Sequence, residues 1–179
     1  MGKTILTALF MAALPSLCLA DSQWALQEST LIYYASHPLH HVEGLSHAAR
    51  GKGLCHQGQC DLLIAVPVKS FDSGDSNRDL HMLQAARGAQ FPMITVRTQI
   101  PEKALGSSTI ITDLEIEFAG QTVHYRQVSF QVINHGKEAR IKGTIPATLS
   151  DFKIQPPTLL TIPVKNEIPV QVDMTWRQE

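Results

Sequence analysis

Between residues 109 and 118 the chain alternates without interruption. Ile110, Thr112, Leu114, Ile116 and Phe118 fall on one side, and Asp113, Glu115 and Glu117 on the other. A period of two belongs to an extended strand, and charge at every second position leaves one face wet and the other dry. The pattern recurs along the chain. Leu62, Ile64 and Val66 carry it over residues 60–69, and Ile94, Val96 and Ile100 over 93–100. Val128, Phe130 and Val132 carry it over 122–133, and Ile141, Gly143, Ile145 and Ala147 over 139–149. Ile168, Val170, Val172, Met174 and Trp176 close the chain in the same way. Residues 29–36 read as a first strand through Leu31, Tyr33 and Tyr34, and residues 40–52, less regular, as a second. Tight turns separate them, notably Ala119-Gly120-Gln121 and Asn134-His135-Gly136-Lys137. About eight strands with one dry face each must bury those faces together. A sandwich or a closed barrel achieves this, and closure also removes the exposed edges.

The stretch from Cys60 to Pro92 is the least repetitive. A strand ends in the turn formers Ser70-Phe71-Asp72-Ser73-Gly74-Asp75. Residues 77–87 follow with Leu80, Leu83 and Ala86 at helical spacing, and Phe91-Pro92 opens the next strand. Three motifs here, Ser70-Phe71-Asp72-Ser73-Gly74, Arg78-Asp79-Leu80-His81 and Phe91-Pro92-Met93-Ile94, resemble those of the YceI-like family of periplasmic lipid-binding proteins. The resemblance extends more loosely from Trp24 to Trp176. It implies an all-β fold: an eight-stranded antiparallel lipocalin-like β-barrel with one short helix after the third strand. It also implies a non-catalytic carrier that holds a polyisoprenoid or similar amphiphilic lipid, such as an isoprenoid quinone. The chain departs from the family in residues 82–90, which lack the usual acidic-aromatic run, and in its Cys55/Cys60 pair.

Residues 1–20 read as an export signal, with Lys3, an apolar segment over 5–14, and Cys18-Leu19-Ala20 as a cleavage site that makes Asp21 the first mature residue. The alternative, a lipoprotein beginning at Cys18, meets a large Leu17 before the cysteine. Export and the family resemblance place the protein in the periplasm, without a permanent membrane anchor, as one domain over residues 21–179. Fifteen basic against sixteen acidic side chains, with no basic cluster, argue against nucleic acid. Association into a homodimer is left open. Cys55 and Cys60 flank Gly58 between two strand-like runs, so in an oxidising compartment they are read as a disulfide stapling a hairpin.

Under that fold the inward set is Leu62, Ile64, Val66, Ile110, Leu114, Ile116, Phe118, Val128, Phe130, Val132, Ile168, Val170, Val172 and Met174. These side chains either pack on one another or line a tunnel, with Gly143 and Ala147 leaving room. Arg78 and His81 are the candidates for contact with a ligand's polar head, and Asp79 could orient either; the plainer alternative is a helix-start network. No catalytic residue, metal or cofactor is assigned beyond a bound isoprenoid lipid. Two other functions compete: metal or haem binding through His37, His40 and His41, and a ligand-free interaction barrel.

Overall fold

The computed structural model describes residues 21–37, 40–159 and 162–179, so the export signal lies outside the described residues. The main strands are β1 (Ser22–His37), β2 (His40–Ser46), β3 (Arg50–His56), β4 (Gln59–Pro67), β5 (Met93–Pro101), β6 (Thr109–Phe118), β7 (Gln121–Asn134) and β8 (Glu138–Ile145). Two short strands, β9 (Thr158–Leu159) and β10 (Ile162–Pro163), precede the last, β11 (Val170–Gln178). Helix α1 (Ser76–Ala85) follows β4. One sheet runs β11-β8-β7-β6-β5-β4-β3-β1-β2 and closes through β11 on β1. Every pairing is antiparallel. β2 and β3 lie end to end on the same side of β1, so they fill a single position and the closed barrel has eight staves.

The hairpin turns follow from local chemistry. Gln57-Gly58 and Ala119-Gly120 each have two consecutive positive φ values, at 49° and 77° and at 50° and 73°. That is the backbone of a two-residue turn matched to strand twist, and glycine supplies the second position without strain. The first of these turns sets Cys55 opposite Cys60, and the predicted disulfide is formed there with both residues buried.

Three details differ from the sequence reading. The second strand, expected to run through residue 52, breaks at residues 47–49. Buried Ser46 bonds Ser70 Oγ at 2.7 Å and accepts the Ala48 N–H, fastening the break to the turn after β4. β1 begins at Ser22 rather than residue 29, because a bulge between Leu26 and Glu28 shifts the inward parity from even to odd positions. β7 carries a second bulge: Thr112 pairs with Val128 but Leu114 with Tyr125, and Gln127 has φ 57° with its N–H on Asp113 Oδ1 at 2.8 Å. Inward residues are therefore Val123 and Tyr125 before the bulge and Val128, Phe130 and Val132 after it.

Candidate functional site: an apolar cavity with a polar rim

The inner faces of the staves enclose a cavity of about 650 Å³. Small-molecule pockets usually fall at roughly 300–1,000 Å³. Its floor is Trp176 and Ile100, 2% and 1% exposed. Glycines on the inner face of β3 make that floor possible. A Cβ on Gly51 would lie 2.6 Å from the Trp176 ring, and one on Gly53 2.5 Å from Leu62 and 3.2 Å from Trp24. Above the floor the wall is mostly apolar, aliphatic with several phenylalanines, and many inward side chains, among them Val96, Ile141 and Met174, are only half-buried because they face the void.

All of the predicted inward set line the cavity except Val128 and Val132, which are buried against the wall. Ala147 also lines it, but Gly143 does not open space: a Cβ there would fall 2.5 Å from the Phe130 ring, so the aromatic side chain fills the place left by the glycine. Sequence reading missed Leu31, Tyr33, Ala35 and Val42 on β1 and β2, and Val96 and Ile100 on β5 as lining residues. Period-two alternation marked β5, and Val96 and Ile100 were on its apolar face. In β1 the run Leu31-Ile32-Tyr33-Tyr34-Ala35 is continuously apolar, so it marks a strand without saying which side faces in.

The rim is built by α1, the ends of β1 and β2, and residues 147–158 and 164–168. Of Leu80, Leu83 and Ala86, which the sequence placed at helical spacing, Ala86 is buried and lines the cavity, while Leu80 is 51% exposed. Arg78, His81, Met82 and Ala85, spaced as one helical face, look into the cavity with Ala86. Leu83 packs where a side chain on Gly88 would otherwise stand. The helix start is fixed from several sides. Asp75 accepts the N–H groups of Asn77 and Arg78 at 2.9 and 3.1 Å, which holds its carboxyl below the usual carboxylate range. Asp79 Oδ1 accepts the Ser73 N–H at 3.0 Å, and Arg78 donates to Ser73 O at 2.8 Å and Ser73 Oγ at 3.3 Å. Arg78 therefore belongs to a helix-start network and lines the rim at once. Asp79 holds the turn and makes no hydrogen bond to His81 or Arg78 among those found.

Tyr33 completes this end. Its ring lies across its strand partner Gly44, where a Cβ would come within 2.1 Å, and against Phe71 at 5.7 Å between centroids. Burial raises the phenol above its ordinary pKa, Asp79 adds to the effect and Arg78 opposes it. His37 is buried, with Nε2 3.2 Å from the Ile162 carbonyl oxygen, and faces inward. His41 is exposed on the outer face, 3.5 Å from Ser36 Oγ, so these two histidines lie on opposite sides of the wall. The His40 side chain lies outside the described residues. Among the described residues the group with ligand atoms close enough for a metal is Cys55, Cys60 and Glu102, and both its sulfurs are spent in the disulfide.

Solved structures share this architecture. A polyisoprenoid binding domain from Saccharophagus degradans, implicated in plant cell wall breakdown, superposes with a TM-score of 0.67 at 13% identity, over 87% of this chain and 98% of its own. The chain has the fold of that domain. Burkholderia cenocepacia BcnA shares the fold too, with a TM-score of 0.68 at 15% identity over 82% of this chain and 95% of its own. The YceI protein of Campylobacter jejuni matches more loosely, at a TM-score of 0.48 and 13% identity over 98% of this chain and 97% of its own. The resemblance carried by Ser70–Gly74, Arg78–His81 and Phe91–Ile94 is thus borne out in the fold. No protein-family model matches this chain, and no curated protein does.

Proposed function

We propose that this chain is an exported binding protein that encloses the tail of one amphiphilic lipid, of polyisoprenoid type, without altering it chemically. The observation that carries the reading is the cavity itself: an unfilled, mostly apolar space reaching from Trp176 to the rim at Arg78 and His81. A filled core would leave no such volume, since native interiors pack nearly without voids. Each buried methylene contributes roughly 0.8 kcal/mol, so a few isoprene units supply ample gross affinity, reduced by the cost of ordering the chain. The polyisoprenoid binding of the Saccharophagus domain, which has the same fold, supports this cargo. A periplasmic location is supported by the export signal over residues 1–20 and by a disulfide that an oxidising compartment would maintain.

The test is organic extraction of protein purified without detergent, followed by mass spectrometry of the extract. The expected result is one prenyl-type lipid per chain. An extract free of lipid, from protein that also takes up none when it is added, rejects the carrier reading and leaves the ligand-free interaction barrel.

A further inference from the structure

The polar end of the cavity is uneven in a way that bears on the head of the cargo, given that the cavity is a lipid site as proposed above. Among the described residues no lysine, aspartate or glutamate lines the cavity, and Arg78 is its one guanidinium. That guanidinium is already partly spent. Its Nε and Nη2 face the Ser73 hydroxyl and carbonyl at 3.3 and 2.8 Å, which removes the side-on pair of donors used to grip a phosphate. Two carboxylates stand just behind the lining. Asp75 caps the helix beside Arg78 and His81, and Asp79 is close enough to Tyr33 to act on its phenol. Around Arg78, at the helix side of the rim, one cation against two anions makes an unfavourable field for a further negative charge. What the rim does offer are hydrogen-bond donors: the Tyr33 hydroxyl, a His81 ring N–H and the remaining Arg78 N–H groups.

We propose that the lipid bound here carries an uncharged, hydrogen-bond-accepting head, an alcohol or a carbonyl, and that the rim discriminates against the phosphorylated form of the same tail. The apolar wall treats both tails alike, so the choice is made entirely by Tyr33, Arg78 and His81 with Asp75 and Asp79 behind them.

The test is titration of the lipid-free protein with geranylgeraniol and with geranylgeranyl phosphate, read by tryptophan fluorescence and by equilibrium dialysis. The alcohol binds about tenfold more tightly at low ionic strength, a difference near 1.4 kcal/mol. The gap narrows at about 1 M salt, where screening acts within roughly 3 Å. The double variant Asp75→Asn, Asp79→Asn keeps the side-chain oxygens that accept the Asn77, Arg78 and Ser73 N–H groups and removes both charges. It raises affinity for the phosphate and leaves that for the alcohol unchanged. Equal or tighter binding of the phosphate by the unaltered protein overturns the head-group inference while the cavity reading stands. So does a preference indifferent to both salt and the double variant. If neither lipid binds, the cavity reading falls and the inference falls with it.

Discussion

Exchange of Val96 for phenylalanine separates a hollow barrel from a packed one by the sign of its effect. Val96 lies in β5 between Ile64 of β4 and Ile116 of β6, and all three face the cavity. The larger side chain adds about four carbon groups. If they enter empty space and leave water, the gain is at most about 3 kcal/mol at ~0.8 kcal/mol per group. In a filled interior the same insertion would cost about 1–3 kcal/mol through forced rotamers and wall shifts. Urea unfolding of lipid-free protein measures the difference directly, provided that the slope of the transition is unchanged. Expected for Val96→Phe is a higher midpoint together with weakened uptake of a prenyl lipid, because the ring occupies the path of the tail. A lower midpoint with undiminished uptake would refute the placement of the void beside Val96.

The remaining predictions concern the frame around the cavity. Replacing Cys55 and Cys60 together by alanine lowers stability by about 2 kcal/mol, the loop between them being short, and leaves lipid uptake intact in denaturation and binding assays. Gly143→Ala destabilises by about 1–3 kcal/mol in urea unfolding, since the new methyl meets the Phe130 ring at 2.5 Å and the Ser129 carbonyl at 3.0 Å. Tyr125 donates to Asp151 Oδ2 at 2.7 Å, and burial and that carboxylate both raise the pKa of the phenol. A group whose pKa is raised on folding stabilises the fold fully below its unfolded value, about 10 for tyrosine, and loses that contribution as pH rises further. Stability measured through the alkaline range therefore falls more steeply for the unaltered protein than for Tyr125→Phe.

Much of the barrel was written in local alternation. Ile110 through Phe118 lie in register with Phe130 through Gln121, and their parity alone told which side faced in for β6. The central motifs located the turn, the helix and the next strand, because Asp75 is a helix cap by its chemistry and Phe91-Pro92 cannot continue a helix. What escaped notice depended on tertiary partners. The bulge at Gln127 is stabilised by Asp113 on the neighbouring strand, and no residue near Gln127 announces it. Leu80, Leu83 and Ala86 share a helical spacing, yet with the helix start anchored at Ser73 it is Ala86, Met82 and Ala85 that face the cavity, while Leu80 is exposed. Gly143 reads as vacant space in one dimension and becomes a seat for Phe130 in three. Arg78 and His81, in contrast, stand at the rim where the motif had put them.

A crystal structure of the protein, expressed with its export signal and purified without detergent, tests the hollow interior and its use together. The result predicted is a tube of density not belonging to the chain, starting above Trp176 and Ile100 and ending among Tyr33, Arg78 and His81. An interior closed by repacked side chains, or one holding water alone even after prenyl lipid is supplied, would contradict it.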